Sequence, residues 1–293
     1  MTSADAKRDL WSVLDSAWLL AAAARVMSLD GQGDTGDFLN DAAHEVVNAA
    51  GLSLPSGDAA SMLARGARSQ LAQMLAVADP AVQLQWAEMD DETLLAQGRA
   101  SGMNIGSVMA ADGPAPDALK ARLAQPHARF LDVGTGVGAI CVALCRSWPL
   151  LHCVGLDIAE RPLVLGRREI AEAELEDRVE LRRLDVLNLS EGGAFDVAWL
   201  PLPLLSGEIA EAALQAVLNA LRPGGWILVA ANTRSTDPVQ AALTAFRAAA
   251  VGGGTAYQDD VRRWLNEAGM TDVIEIAPRM GGSPLLAASR RPA

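Results

Sequence analysis

The chain has 293 residues, 51% of them hydrophobic, and a formal net charge of -12. That length suffices for one large domain or two modest ones, and the apolar content excludes an intrinsically disordered chain. The acidic balance argues against a partner held through phosphate contacts, so no nucleic acid is expected.

From Ala4 to about Leu123 the pattern is helical almost throughout. Leu10, Trp11, Leu14, Trp18 and Leu19 recur at helical spacing, as do Met62, Leu63, Leu71, Met74, Leu75 and Val77. The apolar run 17–24 is too short to span a bilayer and is flanked by Asp15 and Arg25, so it reads as a buried helix face and no membrane partner is expected. Gly31-Gln32-Gly33-Asp34 breaks the first helix, and Leu54-Pro55-Ser56-Gly57-Asp58 marks a second break. Asp79-Pro80 opens the next helix, since proline suits a first helical turn. In that helix Gly98, Gly102 and Gly106 form a stripe of small residues around Arg99, Met103 and Met109. The stripe predicts close packing on a neighbour, with Arg99 and Met103 as candidate substrate contacts. A last short helix follows Asp112-Gly113-Pro114-Ala115-Pro116, and Gln125-Pro126 closes this half. The expected division is a helical domain, 1–125, and a second domain, 126–293.

From Ala128 onward, strand and helix alternate. Strands are predicted at 130–133, 151–156, 179–184, 195–200, 226–230, 273–277 and 285–288. Helices are predicted at 139–147, 161–173, 208–221, 238–249 and 258–268. Strands separated by helices imply a parallel sheet with right-handed crossovers. No helix separates the last two strands, which are joined through 278–284, and this favours an antiparallel pair at the sheet edge. Cys141, Cys145 and Cys153 are too few for a disulfide framework and fit a reducing, cytoplasmic setting. With His44, His127 and His152 they make no zinc-like spacing, so no metal is expected.

Gly134-Thr135-Gly136-Val137-Gly138-Ala139 follows the first strand and opens a helix. Its glycines allow a tight turn and close approach of a ligand to backbone N–H groups. The same letters satisfy G-x-G-x-x-A, a dinucleotide fingerprint, which keeps a nicotinamide-dependent oxidoreductase open. Asp132 discriminates. It lies two residues before the first glycine, where a dinucleotide would put its pyrophosphate, and its carboxylate would repel that group. It suits instead the cationic ammonium and sulfonium of S-adenosylmethionine (SAM). Asp157, at the end of the second strand, can accept ribose hydroxyls, which both cofactors share. Asp185, ending the third strand, can hold the adenine amine, with Val186 against the ring.

These segments, together with Phe195-Asp196-Val197-Ala198-Trp199-Leu200 and Leu221-Arg222-Pro223-Gly224-Gly225, resemble in order and spacing the motifs of class I SAM-dependent methyltransferases. The resemblance covers about 128–291. It implies a Rossmann-like α/β fold: a seven-stranded, mostly parallel sheet with an antiparallel last strand, preceded by an all-α N-terminal domain. It also implies SAM contacts at Asp132, Gly134, Thr135, Gly136, Gly138, Asp157, Ile158, Asp185, Val186 and Leu200. The helical region is similar to that of small-molecule methyltransferases, where it covers the active site and often mediates dimerisation, so a homodimer is expected.

The fourth strand leads into Leu200-Pro201-Leu202-Pro203, which should border the transferring methyl. Base- or glutamine-modifying members carry an Asn/Asp-Pro-Pro-aromatic motif there, whose polar groups grip an amine. Its replacement by leucine and proline points to a hydrophobic small molecule, with O-methylation in natural-product biosynthesis favoured. Pro201 and Pro203 are candidate substrate contacts. Some O-methyltransferases place a catalytic histidine after the fifth strand. This chain has Ala231-Asn232-Thr233-Arg234, so no catalytic base is assigned. Asn232, Arg234 and Tyr257 are polar candidates near the pocket, and Gly252-Gly253-Gly254 suggests a closely packed loop or a lid hinge. A SAM-binding protein that does not methylate, such as a cyclase or a regulatory partner, is the remaining alternative.

Overall fold

A computed structural model describes residues 10–29, 37–78, 88–250, 252–277 and 284–292. The breaker Gly31–Asp34, the helix start at Asp79-Pro80 and most of the junction between the last two strands lie outside these residues. The chain forms two compact units, Met1–Val82 and Gln83–Ala293.

The first unit contains α1 (Leu10–Ser28), α2 (Phe38–Ala49) and α3 (Asp58–Ala78). Its core is built of small residues with few large ones: Ala23, Met27, Val47, Ala60 and Ala64. Asp37 caps α2 by accepting from the Leu39 N–H at 2.9 Å, and Arg25 of α1 donates to Asn40 at 2.7 Å. Apolar periodicity overstated burial here. Trp18 is 75% exposed and Leu75 77%.

The second unit begins with α4 (Asp91–Met109) and α5 (Asp117–Leu123), which the sequence grouped with the preceding helices. Asp90 caps α4, accepting from the Thr93 N–H at 2.9 Å and from its hydroxyl at 2.7 Å. The glycine stripe explains why this helix lies with the sheet. A Cβ on Gly102 would sit 2.6 Å from the Ala139 carbonyl oxygen, and one on Gly106 3.1 Å from the Ala143 Cβ. With hydrogen in those places, α4 can lie directly on α6 (Ala139–Ser147). The stripe packs, as expected.

The sheet has the order β3-β2-β1-β4-β5-β7-β6, formed by β1 (Arg129–Val133), β2 (His152–Asp157), β3 (Val179–Arg183), β4 (Phe195–Pro201), β5 (Leu221–Ala230), β6 (Thr271–Ile276) and β7 (Leu285–Ser289). β3 to β5 pair in parallel, while β7 runs antiparallel to both β5 and β6. This is the seven-stranded sheet with an antiparallel last strand read from the sequence. One face packs against α4, α5, α6 and α7 (Glu160–Glu172), through Met109, Leu119, Leu144 and Ile170. The other packs against α8 (Ala210–Ala220) and α10 (Gln258–Glu267), through Leu214, Val217, Val261 and Leu265. α9 (Pro238–Ala250) follows β5. Strand order reverses between β1 and β4, the place where open α/β sheets leave a crevice at the carboxyl ends of their strands.

Arg222-Pro223-Gly224-Gly225 lies inside β5 and not before it. The register with β4 shifts there, and Gly224 at φ 72° absorbs the irregularity. Arg222 pairs with buried Asp196 at 2.6 Å, and Asp196 also accepts from the Arg129 N–H at 2.9 Å. The motif thus locks β5 to β4 and β1.

Candidate active site

At the carboxyl end of β1 the chain turns through Gly134, Gly136 and Gly138, all at positive φ (67°, 55° and 71°). That backbone region costs an L-residue side chain energy, which accounts for glycine at each position. The turn is pinned by the Thr135 N–H donating to the Leu156 carbonyl and the Gly138 N–H to the Thr135 carbonyl, both at 2.9 Å. Gly138 then caps α6. A Cβ on Gly136 would meet nothing within 4 Å, and one on Gly134 would meet only Pro201, 3.7 Å away. The glycine loop is open above Gly136 and bordered by Pro201.

Asp132 is fully buried at the root of this loop. Its Oδ2 accepts from the Thr135 hydroxyl at 2.7 Å and from the Cys141 thiol at 3.5 Å. Among the described residues, no hydrogen-bond donor reaches its Oδ1. Burial pushes the Asp132 carboxyl up to about 7, against the lowering effect of those two hydrogen bonds, and nearby Asp157 adds to the rise. A buried polar atom without a partner is costly, so such an atom beside a glycine loop marks a place for a donor supplied by a ligand.

Asp157, closing β2, reaches across to the same loop. Its Oδ2 accepts from the Gly136 N–H and its Oδ1 from the Ala159 N–H, each at 2.9 Å. Burial raises its pKa as well, with the backbone donors of Ala159, Gly136 and Ile158 opposing. Asp185 lies two residues past β3 and caps the short 3-10 turn Val186–Asn188, accepting from the Leu187 N–H at 2.9 Å. Three carboxylates therefore stand at the ends of three adjacent parallel strands. Ile158 beside them is 69% exposed, whereas Val186 is buried. The Leu200 side chain is fully buried in the core facing α8, so only its backbone borders the rim.

The remaining candidates fall into two groups. Asn232, Arg234 and Tyr257 are brought together where the chain leaves β5. Asn232 bridges to Tyr257, and Arg234 stacks 4.0 Å over the Tyr257 ring while donating to Asp260 at 2.9 Å. On α4, Arg99 is engaged with Glu169 of α7 at 3.1 Å, and Met103 is 37% exposed. Pro203 is half-buried in a short turn after β4. Gly253 and Gly254 press on the backbone of Pro203 and Gly207, whereas a Cβ on Gly252 would meet nothing within 4 Å, so the close packing begins at the second glycine. The sequence reading missed Arg161. It opens α7 just after Asp157 and binds the Met89 carbonyl and the Asp91 carboxylate, tying the start of α4 to the β2 end of the rim. An arginine among other charged residues carries no local sign of so distant a partner.

Residues 130–225 match a family described as a methyltransferase domain. The matched segment carries the glycine loop, Asp157 and Asp185, and in it the chain is similar to the class I SAM-dependent methyltransferases. Among curated methyltransferases it is 30% identical to a release factor glutamine methyltransferase of Rhodopirellula baltica, over 57% of this chain and 50% of that protein. It is 28% identical to a 3-hydroxy-5-methyl-1-naphthoate 3-O-methyltransferase of Streptomyces sahachiroi, over 50% of this chain and 44% of that one. The chain spans about half the length of the curated relatives it matches first, from 43% to 50%. In fold it is similar to the pyocyanin biosynthetic protein PhzM, with a TM-score of 0.68 and 18% identity over 96% of this chain and 97% of that one. Methyltransferases of this class use SAM, and the residues present fit it. The open glycine cradle admits the ligand, and Asp132 Oδ1 is suited to accept from an ammonium group.

Proposed function

We propose that this methyltransferase alkylates a small, largely apolar molecule at oxygen, in natural-product biosynthesis. The observation that carries this is the wall after β4. Pro201 is buried and borders the glycine loop, the Leu200 and Leu202 side chains pack into the core on the α8 side, and no side chain able to grip an amine stands in Leu200-Pro201-Leu202-Pro203. The glutamine methyltransferase relative aligns over only half of its own length, so its substrate does not carry over. The naphthoate O-methyltransferase supports the aromatic, oxygen-acceptor reading.

When bound, SAM supplies an electrophilic methyl on a sulfonium. This chain's own contribution is positioning and exclusion of water. Asp132 orients the ammonium, and Asp157 and Asp185 hold the ribose and adenine beside Ile158 and Val186. The loop backbone at Gly134, Thr135, Gly136 and Gly138, together with that of Leu200, lines the cradle. Pro201, Pro203, Met103 and Arg99 border the acceptor, with Asn232, Arg234 and Tyr257 at its polar edge. No side chain is assigned as base, so the hydroxyl proton passes to solvent or to a group of the acceptor itself as the carbon–oxygen bond forms.

Incubation with methyl-labelled SAM and a panel of phenols, naphthols and amines tests this. Label in an aryl ether is the expected result; label only in amines, or in none while SAM binds, overturns it. Asp157→Ala should weaken SAM binding by more than about tenfold, the loss of a hydrogen bond to a charged group. Unchanged affinity in calorimetry would displace the ribose site.

The N-terminal helical unit, Met1–Val82, is proposed to pair two copies. The exposed Trp18, Phe38 and Leu75 of the N-terminal unit support the pairing. Light scattering should give twice the 30.7 kDa chain mass, and Leu75→Glu should return the monomer. No helix among the described residues is long and apolar enough to cross a membrane. Three free, buried cysteines support a cytoplasmic setting.

A further inference from the structure

The buried thiols are grouped, and the proposed reaction uses none of them. Cys145, in the last turn of α6, and Cys153, the second residue of β2, place their sulfurs 3.5 Å apart. Cys141 stands one turn earlier in α6 and faces Asp132 and Thr135. The two neighbouring sulfurs are not alike. The Cys153 thiol hydrogen-bonded to it and the Arg178 charge hold Cys145 below the usual thiol range, against burial. Burial pushes Cys153 well above that range. Arg178 is fixed there by donating to the Cys145 carbonyl at 2.9 Å and the Pro149 carbonyl at 3.1 Å. At the amino ends of β1 to β3, opposite the cofactor rim, a cavity of about 310 Å³ is lined by Cys153, Arg178, His127, His152 and Glu176. Cys153 borders this cavity, and Cys145 lies one sulfur–sulfur contact behind it.

We propose that Cys145 and Cys153 are a modification site, a dithiol that hydrogen peroxide converts to an intramolecular disulfide between α6 and β2. The Cys145 thiolate attacks one peroxide oxygen and the O–O bond breaks. The sulfur becomes a sulfenic acid and the other oxygen leaves, protonated, as water. The Cys153 sulfur then attacks the Cys145 sulfur. The S–O bond breaks as the S–S bond forms, and the departing hydroxide takes the Cys153 proton to give a second water. Two thiols are oxidised and one peroxide is reduced. Sulfurs 3.5 Å apart need close by only about 1.5 Å to reach bonding distance. In a reducing compartment the pair rests as thiols, and the bond forms only under peroxide load.

The test uses the full chain, reduced and freed of reductant, then exposed to a small excess of hydrogen peroxide and alkylated in denaturant. Alkylatable thiols should fall from three to one and recover with dithiothreitol. Trypsin cuts at Arg129, Arg146 and Arg167 but not at Arg161, which precedes Pro162. The bond should therefore join peptide 130–146 to peptide 147–167, at a mass two hydrogens below their sum. The link should survive in Cys141→Ala. In Cys153→Ala it should vanish, leaving a Cys145 sulfenic acid that dimedone traps. Fragmentation of the linked wild-type peptides assigns the bond to Cys145 or to Cys141 even if a variant fails to fold, and a Cys141–Cys153 bond would overturn the proposal. Three thiols persisting after peroxide would overturn the proposal, as would a bond confined to peptide 130–146 or a Cys145 sulfinic acid beside a free Cys153.

Discussion

Asp132→Asn is expected to weaken SAM binding by about a hundredfold at pH 8 and to abolish its dependence on pH. The magnitude is that of a charge-assisted contact of roughly 2–3 kcal/mol. The pH dependence follows from where the carboxyl titrates. Burial raises it from 3.8 in an unstructured chain to about 7 in the folded protein. Below that value the free protein carries a neutral acid at the loop root, with nothing to offer an ammonium group. Each pH unit of descent from 7 should therefore cost about tenfold in affinity until the bound-state pKa is reached. Binding near neutrality should also release a proton, visible as a dependence of the calorimetric heat on the buffer's ionisation enthalpy. Without ligand the sign is reversed. Between pH 3.8 and about 7 the folded state holds a proton that the unfolded chain gives up. The contribution of Asp132 to stability is thus lost as pH rises through this window, and SAM restores it above neutrality. A wild-type affinity flat from pH 5 to 8, or an Asn variant with the same slope, would show that Asp132 does not meet the ammonium.

Much of this rim was legible in the sequence because a parallel sheet converts linear order into position. Each strand ends at the same edge, so Asp132, Asp157 and Asp185 had to stand together once three strands were placed. The glycines identified the turn for the same local reason, since positive φ at Gly134, Gly136 and Gly138 leaves few other choices. What the letters did not reveal were partners chosen by tertiary packing. Arg161 and Arg99 are surface arginines by pattern, yet they reach Asp91 and Glu169 across two helices. Periodicity located apolar faces on the N-terminal helices but not their cover, and Trp18 and Leu75 proved exposed. The start of the sheet-bearing unit at Gln83 was hidden for a related reason. α4 has the composition of the helices before it, and only its fit to α6 assigns it to the sheet.

That fit makes Gly102 a position where one methyl group should disturb both the helix packing and the cofactor loop. A Cβ there would lie 2.6 Å from the carbonyl oxygen of Ala139, 2.9 Å from its carbonyl carbon and 3.2 Å from its Cβ. Two of these atoms are backbone, so no rotamer change relieves the clash, and either α4 must lift or the start of α6 must shift. Ala139 directly follows Gly138, so a shift would pass into the glycine loop. Gly102→Ala should cost about 2–3 kcal/mol, as overpacking in a well-filled interior does. It should also weaken SAM binding, although the residue touches none of the proposed cofactor contacts. Gly106→Ala meets only the Ala143 Cβ at 3.1 Å and should cost less. Gly66→Ala meets nothing within 4 Å in the interior of α3. There the helical preference of alanine acts alone and should stabilise by about 0.5–1 kcal/mol. Thermal and denaturant unfolding of the three variants should rank Gly66→Ala above Gly106→Ala and Gly106→Ala above Gly102→Ala. If Gly102→Ala is as stable as Gly66→Ala, α4 does not lie on the start of α6, and the helix loses its place as the cover of the cofactor loop.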